Sequence, residues 1–331
     1  MLQRLTVHNR SSQELRQLAH DRRAAAASKD GRFKALLLQE AKLLEYYAEL
    51  RDWMEPADGS RPDRRSAGDQ AATEQMHSGH ADRHPGLPGF GLLASWLMTR
   101  LVLSAADRQA LLAAAAAPRQ VLKGECLIEE GSENSSLIIL CRGMARAIRT
   151  LADGGQQIVA IFVAGDMLNA GELAFRRSRT SISALTSVIS LSIPLPALNR
   201  LVDERPAIAR ALWRETANHA AIQQEWMIGL GRRTAQARLA HFLCEMSCRQ
   251  QLFNPEAGDG FDLPLTQQDL GDTLGLSTVH VNRVLQSLRA DGLIEFNRGW
   301  LDIRDKAGLF AIAEFDQQYL GGLMCLEEED D

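Results

Sequence analysis

Val279, Asn282, Arg283 and Gln286 are the residues of this 331-residue chain whose types and spacing best suit one chemistry. At 100° per residue they share one side of a helix over Thr278–Ala290, with Ser287 beside them and His280 at the edge. A guanidinium there can grip guanine O6 and N7, an amide matches adenine, and an apolar side chain meets a thymine methyl. The opposite side carries Val281, Val284, Leu285 and Leu288 at spacings of three and four, the stripe that a helix buries. An Arg–Gln pair alone would suit any solvated helix. Val279 on the outward side and the elements around it are what point to base reading.

Those elements have local signatures. Thr266 stands at an N-cap position, and Asp269 follows at capping-box spacing. Leu270 and Leu274 form one buried stripe, Gly275 offers the positive φ that ends a helix, and Ser277 can cap the next one. Leu276 can plug the angle between the two helices. Leu293–Phe296 and Trp300–Ile303, joined by Asn297-Arg298-Gly299, predict a hairpin with Arg298 at its tip, within reach of a phosphate. Two short helices followed by a hairpin make a winged helix-turn-helix, a shape that places one helix in the DNA major groove.

Other candidate chemistries are weaker. Cys244 and Cys248 lie one helical turn apart and could chelate a soft metal, but they read as small apolar residues of a helix. His77, His80 and His84 have metal-compatible spacing in a stretch with no further ligands. No metal site is assigned. No nucleophile–base pair or P-loop marks an enzyme. Five cysteines without a framework argue for reduced thiols, and no N-terminal cysteine cluster of the iron–sulfur type is present. The N-terminus lacks a signal-peptide core, and no apolar run approaches the ~20 residues that span a bilayer. Together these predict a cytoplasmic protein. The net charge of −5 equals the five carboxylates of Glu327–Asp331, so it says little about the field at the recognition helix.

Upstream, VLKGECLI, SLIILCRG, MARAIRTL, QQIVAIFV, SISALT and VISLSIP predict short strands of a sandwich or barrel, separated by turn signals. Pro206 opens a long helix running to about Leu230, with Ile208, Leu212, Ile222, Trp226 and Leu230 as an apolar seam interrupted by Glu215 and His219. That helix either pairs with a copy of itself or packs on its own domain. Gly229 and Gly231 mark a hinge, and Thr234 can cap a helix reaching about Cys248. Ser104 and Asp107 repeat the capping-box spacing before a helix at Ala105–Ala116. At the other end, Ser11–Ala27 and Arg32–Trp53 predict an αα-hairpin, followed by a Gly/Pro/Ser-rich linker.

Over about Gly89–Leu320 this order resembles the Crp/Fnr family of bacterial transcription regulators. LTQQDLGDTLGLSTVHVNRVLQSLRADGLI resembles the family's DNA-binding signature, and GDMLNAGEL with Arg179-Thr180 and SALT resembles its phosphate-binding cassette. The resemblance implies an α+β chain: a cyclic-nucleotide-binding-like β-roll at 90–203, a dimerisation helix and hinge at 204–231, and a winged helix-turn-helix with acidic tail at 232–331. The hairpin extension at 1–54 and a disordered linker at 55–89 lie outside it. It implies a homodimer on two half-sites ~34 Å apart, with RNA polymerase as a partner.

The residue-level implications follow the same motif. Arg283 matches the family's base-reading arginine, while Val279 and Thr278 stand where members often place glutamate and arginine. The DNA-binding set is therefore Thr266, Ser277, Thr278, Val279, His280, Asn282, Arg283, Gln286 and Arg298. For an effector the set is Gly171, Glu172, Leu173, Arg179, Thr180, Gln223 and Gln224. The loop from Glu172 to Arg179 is shorter than in cyclic-AMP binders, and glutamines stand where those binders have small hydroxyl residues. That favours a cassette kept for structure over cyclic-nucleotide binding and leaves a different effector open. A small-molecule or protein-interaction adaptor in which DNA binding is secondary is the alternative reading.

Overall fold

The computed structural model describes residues 11–27, 103–251 and 260–320. They fall in two compact units, Thr6–Ala94 and a larger one that contains Ser95–Asp331. In the first unit, α1 (Ser12–Ala27) starts at a reciprocal cap: Ser11 N–H donates to Glu14 Oε2 at 2.6 Å, and Glu14 N–H donates to Ser11 Oγ at 3.3 Å. Leu15, Ala19 and Ala26 are its buried side. The second helix of the predicted hairpin, the linker with its three histidines and the acidic tail lie outside the described residues. No helix among the described residues is long and apolar enough to cross a membrane.

The larger unit begins with α2 (Ala105–Ala114), capped by Ser104, whose Oγ accepts the Asp107 N–H. Seven strands follow: β1 (Arg119–Val121), β2 (Cys126–Ile128), β3 (Ser136–Arg142), β4 (Ala145–Thr150), β5 (Gln156–Phe162), β6 (Ser181–Ala184) and β7 (Val188–Pro194). They form two antiparallel sheets, ordered β1-β7-β3 and β2-β6-β4-β5. Val121, Leu140, Ala145, Phe162, Ile182 and Val188 share a core between them, as alternating burial requires. The stretch VLKGECLI is two strands rather than one, because Gly124 turns the chain at φ 85°.

Two helices then succeed each other, α3 (Leu195–Glu204) and α4 (Pro206–Gly231). Sequence periodicity does not separate them; Pro206, which suits a first helical turn, does. The C-terminal part comprises α5 (Ala235–Gln251), β8 (Gly260–Asp262), α6 (Gln267–Leu274), α7 (Thr278–Ala290), β9 (Ile294–Asn297), β10 (Trp300–Ile303) and α8 (Lys306–Ala313). The wing has three strands, ordered β8-β10-β9. Leu239, Phe242, Leu270, Val281, Leu285, Leu301 and Leu309 build its core, which continues without a break into Met144, Ile158, Ile161, Val163 and Leu185 of the strand domain.

Candidate nucleic-acid interface

The recognition helix is positioned by closed local chemistry. Thr266 and Asp269 form a complete capping box: Asp269 N–H donates to Thr266 Oγ1 at 3.1 Å, and Thr266 N–H donates to Asp269 Oδ2 at 2.8 Å. Gly275 ends α6 at φ 63°, ψ 40°. Ser277 Oγ accepts the His280 N–H at 3.3 Å and starts α7. The turn is tight because Leu276 N–H donates back to Gly271 O at 3.1 Å. A Cβ at Gly271 would meet Leu276 O at 2.5 Å, so a side chain there would prise the two helices apart. Leu276 itself is half-buried against the shared core.

On α7, Val281, Val284, Leu285 and Leu288 are buried. Val279, His280, Arg283, Gln286 and Ser287 are exposed, Val279 to 68%, and Asn282 and Thr278 are half-buried beside them. Thr266 lies exposed at the start of α6. The wing turn is shorter than its sequence suggests. Asn297 pairs with Trp300, leaving Arg298 (φ 50°) and Gly299 (φ 82°) as a two-residue loop with both residues left-handed, the type I′ pattern.

Charge on this surface sorts itself. Arg304 pairs with Glu295 and Asp302, and Arg289 donates to Phe296 O of the wing. Arg283 and Arg298 make no hydrogen bond or ion pair with the described residues. Two guanidiniums are thus presented to solvent, one on the recognition helix and one at the wing tip.

The structure brings Gly171, Glu172, Leu173, Arg179 and Thr180 together in one loop and places Gln223 and Gln224 on α4. Glu172 closes the cassette on itself: its Oε2 accepts from Ser178 Oγ at 2.7 Å and Arg179 N–H at 3.1 Å, and its Oε1 accepts from Thr180 Oγ1 at 3.1 Å. Arg179 lies over the Phe175 ring at 5.4 Å and is exposed. Gly171 and Leu173 flank Glu172 in a 3-10 turn packed on α4, with Thr216 the nearest side chain to Gly171. Gln223 and Gln224 are exposed on α4. The crevice beside Gln223, lined by Val159, Ile161, His219 and Ile222, is no larger than a water molecule. The Glu172 carboxylate thus already accepts three hydrogen bonds within the cassette, while the Arg179 guanidinium faces the Phe175 ring.

Three features escaped sequence reasoning. Ile208 and Ile222 face inward, but so do Glu215 and Asn218, and Leu230 is exposed. The proposed apolar seam therefore mixes both sides of α4. The outward stripe is instead Trp213, Ala217, Ala220, Gln224 and Met227, alternating by four and three, with Trp213 exposed to 76% and Met227 to 66%. Second, Asp269 also pairs through Oδ1 with Arg146 of β4, while Gln157 of β5 donates to Asp272 O at 2.6 Å. Third, Arg249 of α5 donates to Asp166 at 2.7 Å, Ile161 O at 2.9 Å and Glu245 at 3.0 Å, all buried. Burial opposes the Arg249 charge, but Asp166 and Glu245 overcome it and raise its pKa. Burial likewise raises Glu245, against three donors, Arg249, Trp226 and Tyr319. The distant residues of these contacts carry no mutual sequence signal; Glu245 and Arg249, four apart on α5, do.

Comparison with known proteins places these features in a family. The profile of a Crp-like helix-turn-helix domain matches residues 237–312, and that of a cyclic nucleotide-binding domain matches residues 118–205. A probable transcriptional activator of Rhizobium leguminosarum bv. viciae is 32% identical over 176 residues, 53% of this chain and 72% of that protein. The transcriptional activator protein FnrA of Stutzerimonas stutzeri is 28% identical over 219 residues, 66% of this chain and 89% of that protein. The solved structure of FixK2 from Bradyrhizobium japonicum superposes with a TM-score of 0.54 at 26% identity, over 60% of this chain and 96% of that one.

Proposed function

Because this chain belongs to the Crp/Fnr family and is a DNA-binding transcription regulator of that type, we propose that it reads a palindromic operator as a homodimer through Arg283. The observation that carries the reading is the free Arg283 guanidinium on the exposed side of a fully capped helix, with the equally free Arg298 at the wing tip. Arg283 reads guanine, Val279 contacts a thymine methyl, and Asn282, His280 and Gln286 tune neighbouring positions. Thr278 and Ser277 at the start of α7, Thr266 at the start of α6, and Arg298 hold the phosphates and set the register.

The outward stripe of α4 supports dimerisation. Its four-three spacing is that of a two-stranded coiled coil, with small Ala217 and Ala220 allowing close approach and Gln224 a polar register-setting position. RNA polymerase is the second macromolecular partner, and the cytoplasm the compartment. No catalytic role is proposed. The Glu172 cassette serves as a structural closure on which α4 packs. Control acts through the contacts that join the strand domain to the DNA-binding domain, Arg146–Asp269 and Arg249–Asp166, by shifting the population of domain arrangements.

In vitro selection of duplexes by the full chain, followed by titration of the best sequence, tests this. Arg283→Ala is expected to lose about 1–3 kcal/mol of operator affinity and to relax preference at one base pair per half-site. Unchanged affinity and preference would overturn the reading.

A further inference from the structure

Glu215 and His219 stand one turn apart on α4 and turn toward the strand domain. Asp166 comes to meet them from the turn after β5. One donor atom from each of the three lies within 4.8 Å of the others. Glu215 Oε1 and His219 Nε2 approach to 3.6 Å, yet neither makes a hydrogen bond. Glu215 is only 4% exposed, so its oxygen has lost water without gaining a donor. Asp166 is differently placed: its Oδ2 accepts from Val163 N–H and from Arg249, both at 2.7 Å, which fixes the carboxylate.

The charge balance points the same way. Asp166, Glu215 and Glu245 are buried at this junction, and Arg249 is the one arginine or lysine buried among the described residues. Three carboxyl groups are thus buried with a single guanidinium, away from solvent. The crevice that borders His219 and Arg249 is about the size of one water molecule, too small for an organic effector.

We propose that Asp166, Glu215 and His219 bind a divalent transition-metal ion. Two carboxylates and an imidazole suit zinc, manganese or ferrous iron better than calcium or magnesium, which take oxygen ligands. Bonds of ~2.1 Å need ligand atoms roughly 3–3.5 Å apart, so Glu215 and His219, already 3.6 Å from each other, would close on the fixed Asp166 carboxylate. The i, i+4 placement of Glu215 and His219 offers two ligands from one helical face. Water would fill the remaining coordination positions. The ion would tie the strand domain to the long helix and share Asp166 with Arg249 of the DNA-binding domain.

The test uses the full chain, stripped with a chelator and carrying His77, His80 and His84→Ala so that those histidines cannot contribute. Cobalt(II) is the probe. The expected result is one ion per chain, visible ligand-field absorption and a metal-dependent rise in Tm. Glu215→Gln and His219→Gln should each weaken binding at least ~10-fold. Operator binding by the metal-free protein is measured alongside, so loss of the regulator reading is seen separately. Should Glu215→Gln fail to fold, His219→Gln, at a partly exposed position, decides alone. A parent protein that takes up no stoichiometric cobalt, as when Glu215 and His219 simply share a proton, overturns the proposal. Binding that both substitutions leave intact overturns it too.

Discussion

α7 and α4 each bury one side and expose the other, but with opposite chemistry. α7 hides Val281, Val284, Leu285 and Leu288 and shows Arg283, Gln286 and His280. α4 hides Glu215 and Asn218 among its buried residues and shows Trp213, Met227 and Ile228. The first is complete within one chain: its apolar stripe is covered, and its polar side is content in water until DNA arrives. The second is partly inverted. Its outer side shows Trp213 and Met227 next to Arg214 and Gln224, and its inner side buries Glu215 and Asn218 among Ile208, Ala211 and Ile222. The two helices thus differ in how completely polar residues are kept to one side.

The inversion can be broken from outside. Ala220→Glu places a charge in the middle of the apolar stripe and should convert the dimer to a monomer in sedimentation. With only one half-site engaged at a time, operator affinity should fall by about 10²–10⁴-fold. A dimeric variant would show that the stripe is not the pairing surface. From inside, Arg249→Met leaves Asp166 and Glu245 buried without their shared cation. Urea unfolding should report a loss of about 3–5 kcal/mol. A change within error would mean that the junction is not held by charge.

The neighbouring helix α5 adds a pH dependence. Burial, with Arg233 adding to it, lowers the His241 pKa to about 4, against the opposing pull of Glu225. The unfolded chain takes up this proton near pH 6.5, the folded one only near 4. Stability from the neutral ring is therefore complete above pH 6.5 and is lost as pH falls toward 4, by up to about 3 kcal/mol. His241→Phe should remove that part of the slope between pH 7 and 4.5; an identical slope would assign the loss to other groups. The smallest effect belongs to the self-sufficient helix. Ser277→Ala removes one cap and should cost ~1 kcal/mol in thermal unfolding, with oligomeric state unchanged.

The same contrast explains what was legible in the sequence. Every signal that builds α6 and α7 is local: Thr266 to Asp269, Gly275, and Ser277 to His280 lie within one or two turns of the residues they serve. An apolar stripe at helical spacing then identified the buried side of α7 and, by difference, its reading side. Applied to α4, the same rule gathered Ile208 and Ile222 from the inner side with Leu230 from the outer, because Glu215 and Asn218 occupy inner positions that periodicity assigns to solvent. β8 went unread because a three-residue strand gains its identity only from pairing with β10, nearly forty residues on. The cassette motif was visible in Gly171-Glu172-Leu173, but the capture of Glu172 by Ser178 and Thr180 depends on a loop path that the motif does not encode.

The unbroken core sets the cost of switching. Met144, Ile158, Ile161, Val163 and Leu185 of the strand domain lie in the same apolar cluster as the helix-turn-helix interior. Baring five such side chains would require on the order of 10 kcal/mol. A ligand that inverts a two-state population from 1:99 to 99:1 supplies about 5.5 kcal/mol. Full separation of the two parts therefore lies beyond the reach of an ordinary effector. Any reorientation would then cost least as a shear, with the strand face sliding under the helices while most of the apolar contact stays dry.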